Sequence, residues 1–448
     1  MMHEQLTNKQ KLAFNKMLNG KNIFLTGPGG SGKSFLLKYF INYYKSNLET
    51  EKSLLYVTST TGLSALLIDG ITINRYAGIG IGDKDIENYY QKIKRIKFLY
   101  NKWLNTKVLI IDEISMMNAD LFDKLESLAR KVRMNKLHFG GIQIILSGDF
   151  LQLPPVKSDK FCFEAHSWKI IDNIFYFNEI IRQSDILLQN VLNNIRIGVV
   201  NEEVKELLDS CLDKDLNNDL GIIPTLLFSK KDMVKKYNET ELNKLINLGN
   251  VHYKYDSKYE FEKNITNETK NMLKEMINGQ FQIEDSVTLS IGSQVMLTVN
   301  MPEHGLSNGS RGIIVDFSCD KKPTILFLDG KKMVIKEFEY LMETDDGKIV
   351  RKIQIPFILA WAVTIHKAQG MSLDYVKTDI GETIFEYGQA YVVLSRIKNI
   401  EGLSLIKIDY SKIKAHPKIL DYYESLTISS IPNLADHSSS LNASIQSA

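Results

Sequence analysis

The segment GPGGSGKS, Gly27 to Ser34, restricts the possible folds of this chain more than any other stretch. It follows the short apolar run NIFLT and precedes a stretch whose apolar residues recur at helical spacing, so it lies between a predicted strand and a predicted helix. In that context G-x-x-x-x-G-K-S is typical of a loop that surrounds nucleotide phosphates, because its backbone amides turn inward at a helix N-terminus. Lys33 can then reach the β and γ phosphates while the Ser34 hydroxyl ligates Mg²⁺. The alternative is an ordinary glycine-rich turn, which the flanking strand and helix disfavour.

A later apolar strand, VLII, ends in Asp112 and Glu113. Acids at such a place are often only part of a solvated turn, but together with a phosphate loop they are the expected second half of a site that hydrolyses nucleotides. Asp112 would hold the Mg²⁺ shell, and Glu113 would orient and deprotonate the attacking water. A third strand is followed in the same way by Asp149 and Gln152. Gln152 would sense the γ phosphate or, alternatively, act as a turn residue before two prolines.

The order of strands and helices predicts the fold class. Apolar strands alternate with helical stretches such as DLFDKLESLARKVR, which implies parallel, doubly wound α/β sheets. At 448 residues, 44% of them hydrophobic, the chain is too long for one core and should form at least two domains. The predicted divisions are a first α/β domain at 1–185 with a small wedge insert near 66–103, a second α/β domain at 186–284 and 351–426, a small all-β insert at 285–350, and a disordered, serine-rich tail at 427–448.

Another apolar run, FILAWAV, is followed directly by TIHKAQG. A strand that is hydrophobic on both faces belongs in the middle of a parallel sheet, and the residues beyond its carboxyl end point into the crevice where such sheets bind ligands. His366, Lys367 and Gln369 are therefore predicted to form a polar lip at that crevice. A histidine packed in the core is the alternative for His366.

Composition excludes several other classes of protein. Lys and Arg total 55 against 53 acidic residues, and a net charge of +2 means that any nucleic acid must be bound by a local groove rather than by the overall field. Cys162, Cys211 and Cys319 are too few and too far apart for a disulfide framework or a CxxC metal site. No apolar run reaches the roughly 18 to 20 residues of a membrane span, and the N-terminal segment lacks a signal-peptide core. We therefore expect a soluble, intracellular protein.

Several motifs follow one another as they do in superfamily one helicases: TGPGGSGKS, TSTTGLSA, LIIDEIS, SGDFLQLPPV, EIIRQSD, WAVTIHKAQGMSLD and YVVLSRIK. The chain resembles the Pif family of DNA helicases, which are relatives of RecD, and the resemblance covers residues 6 to 426. DKLESLARKVR looks like the signature stretch of that family, and LSNGSRGIIVDF looks like its insert. The resemblance implies two RecA-like domains with ATP between them, a small barrel inserted in the second, and single-stranded DNA running across both.

The resemblance also implies roles for individual residues. Nucleotide contacts are implied for Gln10, as the residue that reads adenine, and for Gly27, Pro28, Gly29, Gly30, Ser31, Gly32, Lys33, Ser34, Phe35 and Tyr391. Catalytic roles are implied for Lys33, Asp112, Glu113, Gln152, Arg182 and Arg396, and Mg²⁺ ligation for Ser34 and Asp112. DNA contacts are implied for Thr60, Thr61, Asn74, His366, Lys367 and Gln369.

Two stretches leave alternatives open. Many members of the family carry a histidine in the loop after TTGLSA, where this chain has Asn74, which can still donate a hydrogen bond to phosphate. The segment NYYQKIKRIKFLYNKW interleaves aromatic and basic residues in a manner suited to stacking bases and neutralising phosphates. An amphipathic helix with a solvated basic face explains the same segment at least equally well.

The sequence thus predicts an ATP- and Mg²⁺-dependent DNA helicase that moves from 5′ to 3′ on single strands and opens forked or tailed duplexes, with G-quadruplexes and DNA–RNA hybrids as further substrates. The direction is implied by the resemblance alone. Two alternatives stay open: a RecD-like motor subunit of a nuclease complex, and a nucleotide-switched protein that clamps single-stranded DNA without unwinding. RNA as the track is also open, because grooves that follow a backbone are weakly selective. We expect a monomer with no membrane partner, in the cytoplasm, the nucleus or, for a viral protein, a host cell.

Overall fold

The computed structural model describes residues 6–429 except for 52, 81, 156–157, 182–184, 217–220, 263–264, 282 and 370. The strands are β1 (Ile23–Thr26), β2 (Leu54–Ser59), β3 (Ile71–Thr72), β4 (Thr106–Asp112), β5 (Gln143–Gly148), β6 (Asn173–Tyr176), β7 (Thr225–Phe228), β8 (His252–Asp256), β9 (Lys258–Glu260), β10 (Ser286–Ser290), β11 (Gln294–Leu297), β12 (Arg311–Phe317), β13 (Pro323–Phe327), β14 (Lys332–Val334), β15 (Phe338–Glu343), β16 (Ile349–Gln354), β17 (Phe357–Leu359), β18 (Ala362–Thr364), β19 (Val376–Ile380) and β20 (Leu403–Ile408). The α-helices are α1 (Asn8–Leu18), α2 (Lys33–Asn47), α3 (Gly62–Leu67), α4 (Ile73–Ala77), α5 (Ile86–Arg95), α6 (Lys97–Asn105), α7 (Ala119–Arg133), α8 (Ile186–Arg196), α9 (Glu202–Asp209), α10 (Lys231–Asn247), α11 (Asn267–Phe281), α12 (Ile365–Ala368), α13 (Gln389–Leu394) and α14 (Pro417–Ser429). Within these described ranges, no helix combines the length and the apolar character that a membrane crossing requires.

Strands β1 to β6 form a parallel sheet in the order β3-β2-β4-β5-β1-β6. The carboxyl ends of β1, β5 and β4 are neighbours at one edge because β5 pairs in parallel with both other strands. Helices cover both faces: α1 and α2 enclose a core around Phe14 and Phe40, and α7 encloses another around Phe122. This arrangement confirms the predicted doubly wound α/β fold and brings the turns after β1, β4 and β5 together.

A second parallel sheet has the order β18-β7-β19-β20. The apolar run that was predicted as one strand in the middle of this sheet is divided, so that prediction is wrong. Its first half, β17, pairs with β11 in an antiparallel sheet, and only β18 pairs in parallel with β7, at the sheet edge. The edge is covered because Asn238 of α10 accepts a hydrogen bond from the Ala362 amide at 2.8 Å and donates one to the Ala362 carbonyl at 2.9 Å. The side-chain amide of Asn238 thus makes the hydrogen bonds that a neighbouring strand would make, so the apolar strand β18 can lie at the edge of the sheet.

The remaining strands form antiparallel sheets in the orders β14-β13-β12-β11-β17, β15-β16-β9 and β10-β8. Their apolar faces share one core, to which α11 contributes Leu273, Ile277 and Phe281. This confirms that an antiparallel region is added to the second α/β domain. The region is larger than the predicted 285–350, because β8 pairs with β10 and β9 pairs with β16. The sequence between His252 and Glu260 is mostly charged and aromatic, so its pairing with distant strands was not visible in the local pattern.

The helix α14 returns from the second sheet to the first domain. Its Ile419 is buried in the core that contains α7, and the ring of Tyr422 stacks on Phe163 with 4.2 Å between centroids and 7° between planes. The sequence had placed this stretch with the second domain. The helix continues through residues 427–429, which were predicted as the start of a disordered tail, and the rest of that predicted tail, 430–448, lies outside the described residues.

The predicted wedge region, residues 66–103, is largely helical in α4, α5 and α6. Tyr89 and Trp103 are buried in the core of the first domain, so these rings are not displayed for stacking on bases. Lys92 reaches outward, and its Nζ lies 2.6 Å from Asp345 Oδ2 in the hairpin between β15 and β16. Of the two interpretations of this segment, the structure favours amphipathic helices, with one basic face that contacts the antiparallel region.

Candidate functional site

The loop between β1 and α2 requires glycine where it approaches other backbone and side-chain atoms most closely. Gly27 has a φ of 140°, and a Cβ there would lie 2.0 Å from the Phe177 carbonyl oxygen. Gly32 precedes α2 with a φ of 85°, and a Cβ there would lie 2.7 Å from Gln10 Nε2. Both positions are therefore closed to larger residues, and the loop amides are held at the N-terminus of a 15-residue helix, where anions bind well.

Lys33, the first residue of α2, folds back over this loop. Its Nζ donates hydrogen bonds to the carbonyl oxygens of Gly27 at 2.7 Å and Pro28 at 2.8 Å. Burial lowers the pKa of the ammonium group, and the nearby carboxylates of Asp149 and Glu113 act in the opposite direction. The Lys33 ammonium is thus placed at the loop and faces acids from two other turns of the sheet edge.

Asp112 is the last residue of β4, and Glu113 turns the chain with a φ of 52° and a ψ of 44°. Burial raises the pKa of Asp112. Burial and the adjacent Asp112 together raise the pKa of Glu113 to about 7. The hydroxyl of Thr60 donates a hydrogen bond to the Glu113 carbonyl oxygen at 2.9 Å and holds the turn. A carboxyl group with a pKa near neutrality can accept a proton and release it again at physiological pH.

Tyr391 on α13 and Arg396 just after it bring side chains of the second domain to the phosphate loop. The Gly29 amide donates a hydrogen bond to the Tyr391 hydroxyl at 2.9 Å. A Cβ on Gly29 would lie 3.2 Å from Arg396 Nη2, so the guanidinium group lies directly over the loop. Arg396 is only 2% exposed, and its Nε donates to the Val392 carbonyl oxygen at 2.8 Å, which fixes the direction of the side chain. The structure therefore places both residues where the nucleotide contacts were predicted to meet.

Gln152, in the turn after β5, lies beside the start of α13 and is buried. Gly388, which precedes α13 with a φ of 71°, approaches so closely that a Cβ there would lie 2.5 Å from the Gln152 carbonyl oxygen. The turn that carries Gln152 is closed by a hydrogen bond from its amide to the Asp149 carbonyl oxygen at 3.0 Å. The turn of the first domain and the helix of the second thus meet backbone to backbone.

Gln369 was predicted as a DNA contact, but it faces the first domain. Its Nε2 donates a hydrogen bond to Glu113 Oε2 at 3.1 Å, and the residue is only 6% exposed. This hydrogen bond favours the ionised form of Glu113, so it lowers the pKa that burial raises. The structure therefore joins a residue from the predicted DNA-binding motif to the residue that was predicted to activate water.

His366 and Lys367 take different directions from Gln369. His366 is exposed, and Lys367 lines a groove of about 730 Å³ between α10, α11, β10 and β17. Burial lowers the pKa of Lys367, and the nearby Lys231 adds to that effect. The groove is also lined by Lys235 and by three acidic residues, Asp232, Glu239 and Glu284. The lysine side chains are suited to the phosphates of a single strand.

The other residues predicted to contact DNA are engaged in local hydrogen bonds. Thr61 caps α3, where its Oγ1 accepts a hydrogen bond from the Ser64 amide at 3.2 Å. The Nδ2 of Asn74 donates to the Gly80 carbonyl oxygen at 2.8 Å. With Thr60, which holds the Glu113 turn, they fix the loops that follow β2 and β3 at the carboxyl edge of the first sheet.

A cavity of about 340 Å³ adjoins the phosphate loop on the side of α1. Gln10 lies at this cavity, with its Oε1 accepting from the Thr7 amide at 3.0 Å and its Nε2 lying 3.5 Å from the Gly32 carbonyl oxygen. Arg182, which was predicted to act on the γ phosphate, lies outside the described residues. The cavity lining consists of Thr7, Asn8, Lys9, Gln10, Ser31, Phe177, Asn178, Glu179 and Ile181.

Sequence reasoning missed a buried ion pair behind the phosphate loop. Arg196 of α8 donates from Nε to Asp149 Oδ2 and from Nη2 to Asp149 Oδ1, both at 2.8 Å. Asp149 is 0% and Arg196 is 4% exposed. Burial alone would raise the pKa of Asp149, but the guanidinium group holds it below its usual value. The sequence holds one signal that could have found it: Arg196 directly follows Ile195, the last apolar residue at helical spacing in α8, and an arginine beside a buried helix face needs an acidic partner.

Comparison with known proteins links this site to one family. The family model described as PIF1-like helicase matches residues 5–205. The ATP-dependent DNA helicase PIF1 of Danio rerio is 38% identical over 435 residues, which are 94% of this chain and 64% of that relative. The chain therefore spans about 64% of the length of this curated relative.

Solved structures show the same relationship over nearly the whole chain. The Pif1 helicase from Candida albicans is 35% identical with a TM-score of 0.78, and the match covers 94% of this chain and 99% of that one. The Pif1 helicase from Bacteroides, solved in complex with ADP-AlF3 and ssDNA, is 27% identical with a TM-score of 0.63, and the match covers 95% of this chain and 98% of that one. The similarity thus includes both parallel sheets and the antiparallel region.

Proposed function

The chain belongs to the PIF1-like helicase family, and from this membership we propose that it is an ATP-dependent DNA helicase. It hydrolyses ATP, moves from 5′ to 3′ along single-stranded DNA, and opens forked or tailed duplexes. Because the chain spans about 64% of a curated relative's length, the substrates of the whole protein, including G-quadruplexes and DNA–RNA hybrids, belong to the same proposal.

The observation that carries the proposal is that two domains complete one nucleotide site. The first domain supplies the phosphate loop and Glu113, and the second supplies Arg396 over Gly29 and Gln369 on Glu113. The groups that must come together for hydrolysis thus belong to two different domains. Opening and closing of the cleft then accompanies each cycle of binding and hydrolysis, which is what a motor requires and a simple binding protein does not.

The residues at the loop fit a nucleoside triphosphate with Mg²⁺. The close approaches at Gly27 and Gly32 keep the loop backbone in its turn at the N-terminus of α2, and Lys33 supplies positive charge. Ser34 and Asp112 would hold Mg²⁺ because a hydroxyl and a carboxylate are the oxygen ligands that this ion prefers. When bound, the ion neutralises charge on the phosphate oxygens. The cavity beside Gln10 would take the adenine.

The chain's own side chains divide the work of hydrolysis. Glu113, whose pKa is raised to about 7, accepts the proton of the attacking water, and Gln369 holds its carboxyl group in place. Lys33 from the first domain and Arg396 from the second neutralise the charge that develops on the transferred phosphoryl group. We assign contacts with the γ phosphate to Gln152 and to Arg182.

The short helix α12 couples the DNA strand to this chemistry. Lys367 faces the lysine-lined groove and Gln369, two positions along the chain, bonds to Glu113. The Thr364 hydroxyl accepts a hydrogen bond from the Lys367 amide at 3.1 Å and so fixes the start of the helix. A DNA phosphate that shifts Lys367 therefore also shifts the partner of the water-activating carboxylate. This gives a direct route for stimulation of ATP hydrolysis by DNA.

The proposal is tested by unwinding of forked, 5′-tailed and 3′-tailed duplexes with ATP and Mg²⁺. We expect the forked and 5′-tailed duplexes to open and the 3′-tailed duplex to stay closed. Lys33→Ala serves as the control, because loss of the ammonium group uncovers phosphate charge and should abolish hydrolysis while leaving single-stranded DNA binding intact.

Other outcomes identify the alternatives. ATP-dependent DNA binding without unwinding would indicate a nucleotide-switched clamp, and unwinding only after addition of nuclease subunits would indicate a RecD-like motor. A preference for 3′ tails would contradict the proposed direction. A monomer as the active form, RNA as a second track, and a location in the cytoplasm, the nucleus or a host cell remain predictions.

A further inference from the structure

Tyr423 on α14 lies at the centre of the hydrogen bonds behind the phosphate loop, although α14 is the last helix that the structure describes. Its hydroxyl lies 2.6 Å from Thr26 Oγ1. It accepts a hydrogen bond from the Phe150 amide at 3.1 Å and donates one to Asp149 Oδ1 at 3.2 Å. The Asp149 carboxylate can only accept, so the Tyr423 proton points toward it and the Thr26 hydroxyl donates to Tyr423. The three bonds can therefore form together.

These partners belong to the two turns that carry the chemistry. Thr26 is the last residue of β1 and directly precedes Gly27, whose carbonyl oxygen accepts from Lys33. Phe150 lies two positions before Gln152, the residue assigned to the γ phosphate. The parallel pairing of β1 with β5 stops at Thr26 and Gly148, the last residues of the two strands. The turns that follow are therefore not aligned by bonds of the sheet. The Tyr423 hydroxyl supplies that alignment.

The Asp149–Arg196 pair reinforces the same arrangement. The Tyr423 ring lies 5.1 Å from the guanidinium centre of Arg196, and the Tyr176 ring lies 5.6 Å from it. The Tyr176 hydroxyl also accepts a hydrogen bond from Arg196 Nη1 at 3.0 Å. Arg196 belongs to the second domain and Asp149 to the first, so two rings from the first-domain side hold the guanidinium in its orientation. The network is buried, where hydrogen bonds and charge pairs have the greatest effect.

We propose that Tyr423 is a positioning residue for ATP hydrolysis, which aligns the turn after β1 with the turn after β5 through its hydroxyl. The inference rests on the proposed ATPase function. It concerns the step of phosphoryl transfer, because the two aligned turns hold Lys33 and Gln152, which face the transferred phosphate. Binding of the rest of the nucleotide, at Gln10 and the backbone amides, does not depend on that alignment.

The test uses the full chain with Tyr423→Phe, and Tyr422→Phe as a matched control. Tyr422 is adjacent on the same helix and packs its ring on Phe163, but its hydroxyl takes part in none of the three bonds. We expect Tyr423→Phe to lower kcat of DNA-stimulated ATP hydrolysis on the order of 10-fold, as is usual for residues that orient catalytic groups. Tyr422→Phe should stay within about twofold of the unmodified chain.

Nucleotide affinity separates positioning from a general structural role. Tyr423→Phe should bind ADP with nearly unchanged affinity and should bind ADP–aluminium fluoride, which imitates the transferred phosphoryl group, about 10-fold more weakly. A chain that is merely less stable would lose both affinities together and would unfold at lower temperature. That parallel loss would overturn the inference.

Thr26→Val tests the same hydrogen bond from the other side and covers the case in which Tyr423→Phe does not fold. Thr26→Ser keeps the hydroxyl and is its control. Thr26→Val should reproduce part of the loss of kcat, and the double variant should lose little more than Tyr423→Phe alone, because the Thr26 bond is one of the three that the Tyr423 hydroxyl makes. Full activity of Tyr423→Phe, or equal losses in Tyr422→Phe, would disprove the role of the hydroxyl. An unmodified chain without ATPase activity would instead refute the proposed function itself.

Discussion

At the phosphate loop the second domain meets the first through buried groups, whereas at the wedge helices the antiparallel region meets it through partly exposed ones. The first contact, here called the catalytic cleft, comprises Gly29 with Tyr391 and Arg396, Glu113 with Gln369, and Asp149 with Arg196. The second, here called the wedge contact, comprises Arg75 with Gln280 at 2.6 Å and with the Glu343 carbonyl oxygen, and Lys92 with Asp345. In the wedge ion pair the side chains of Lys92 and Asp345 are 42% and 26% exposed.

This difference decides what each contact can do. Breaking a buried charge pair leaves an uncompensated charge and costs several kcal/mol, so the catalytic cleft has only a few well-defined arrangements. An exposed ion pair contributes about 0 to 1 kcal/mol and weakens in salt. Separation of Lys92 from Asp345 therefore costs little. We therefore expect the proposed site of phosphoryl transfer to be held more precisely than the contact between Lys92 and Asp345.

The largest expected effect of a single change in the catalytic cleft is that of Arg396→Lys. Lysine lacks the planar fork that meets phosphate oxygens at two points, and arginines in this role accelerate hydrolysis about 10³- to 10⁵-fold. We expect DNA-stimulated ATP hydrolysis to fall about 10³-fold with unchanged affinity for single-stranded DNA, as measured by fluorescence anisotropy. Arg95→Lys, at an exposed position of α5, is the control. Undiminished stimulation in the Arg396 variant would show that the second domain does not complete the site.

Glu113→Gln should have the next largest effect. The amide can still accept the hydrogen bond from Gln369, but it cannot take a proton from water, and loss of a general base lowers rates about 10²- to 10⁴-fold. ATP affinity should be retained, so the variant should remain bound to ATP and to DNA. Single-turnover hydrolysis and equilibrium nucleotide binding measure the two properties separately. Loss of binding would mean that Glu113 stabilises the loop rather than the reaction.

We expect a smaller effect from Gln369→Leu, which should appear in the pH dependence of ATP hydrolysis. Glu113 must be ionised to act as a base, so kcat/KM for ATP should fall as the pH is lowered through about 7, the value to which burial raises its pKa. Gln369 lowers that pKa by donating a hydrogen bond to the carboxylate. Its removal should move the acidic limb of the profile to higher pH and reduce activity severalfold at neutral pH. An unchanged profile would remove Gln369 from the catalytic cleft.

The smallest effect is expected at the wedge contact. Asp345→Asn removes the charge that pairs with Lys92, so we expect the free energy of unfolding to change by about 0 to 1 kcal/mol, and the change to vanish at high salt. Denaturant unfolding at low and high ionic strength measures both values. A change as large as those in the catalytic cleft would contradict the distinction between the two contacts.

Local sequence patterns were sufficient to predict those parts of the site that consist of one strand and the turn that follows it. The phosphate loop ending in Ser34 and the acids after β4 were predicted because glycine, lysine and paired carboxylates have meaning at such turns. The position of Arg396 over the loop followed from a family motif. The antiparallel region was predicted from its β-branched residues and turns, although not its extent.

Contacts between distant segments could not be predicted. Arg196 and Asp149 are brought together only when α8 packs against the turn after β5, and Tyr423 reaches Thr26 only because α14 returns to the first domain. Gln369 and Lys367 belong to the same motif, yet Gln369 contacts Glu113 in the catalytic cleft and Lys367 lines the groove. Which of the two sites each side chain reaches depends on its direction from α12. Such choices depend on tertiary packing rather than on local periodicity.

The return of α14 also determines how the second domain can move. The chain enters the second domain just before α8 and leaves it between β20 and α14, so the second domain is held at two places. These places lie at the two ends of α8: the first leads into its start, and at the second a Cβ on Gly198, just past its end, would lie 2.8 Å from the Ala415 amide nitrogen. A body held at two points turns freely only about the line that joins them. If the cleft opens during hydrolysis, we therefore expect it to turn about one preferred axis, along α8, with Arg196 near the pivot, where displacement is smallest.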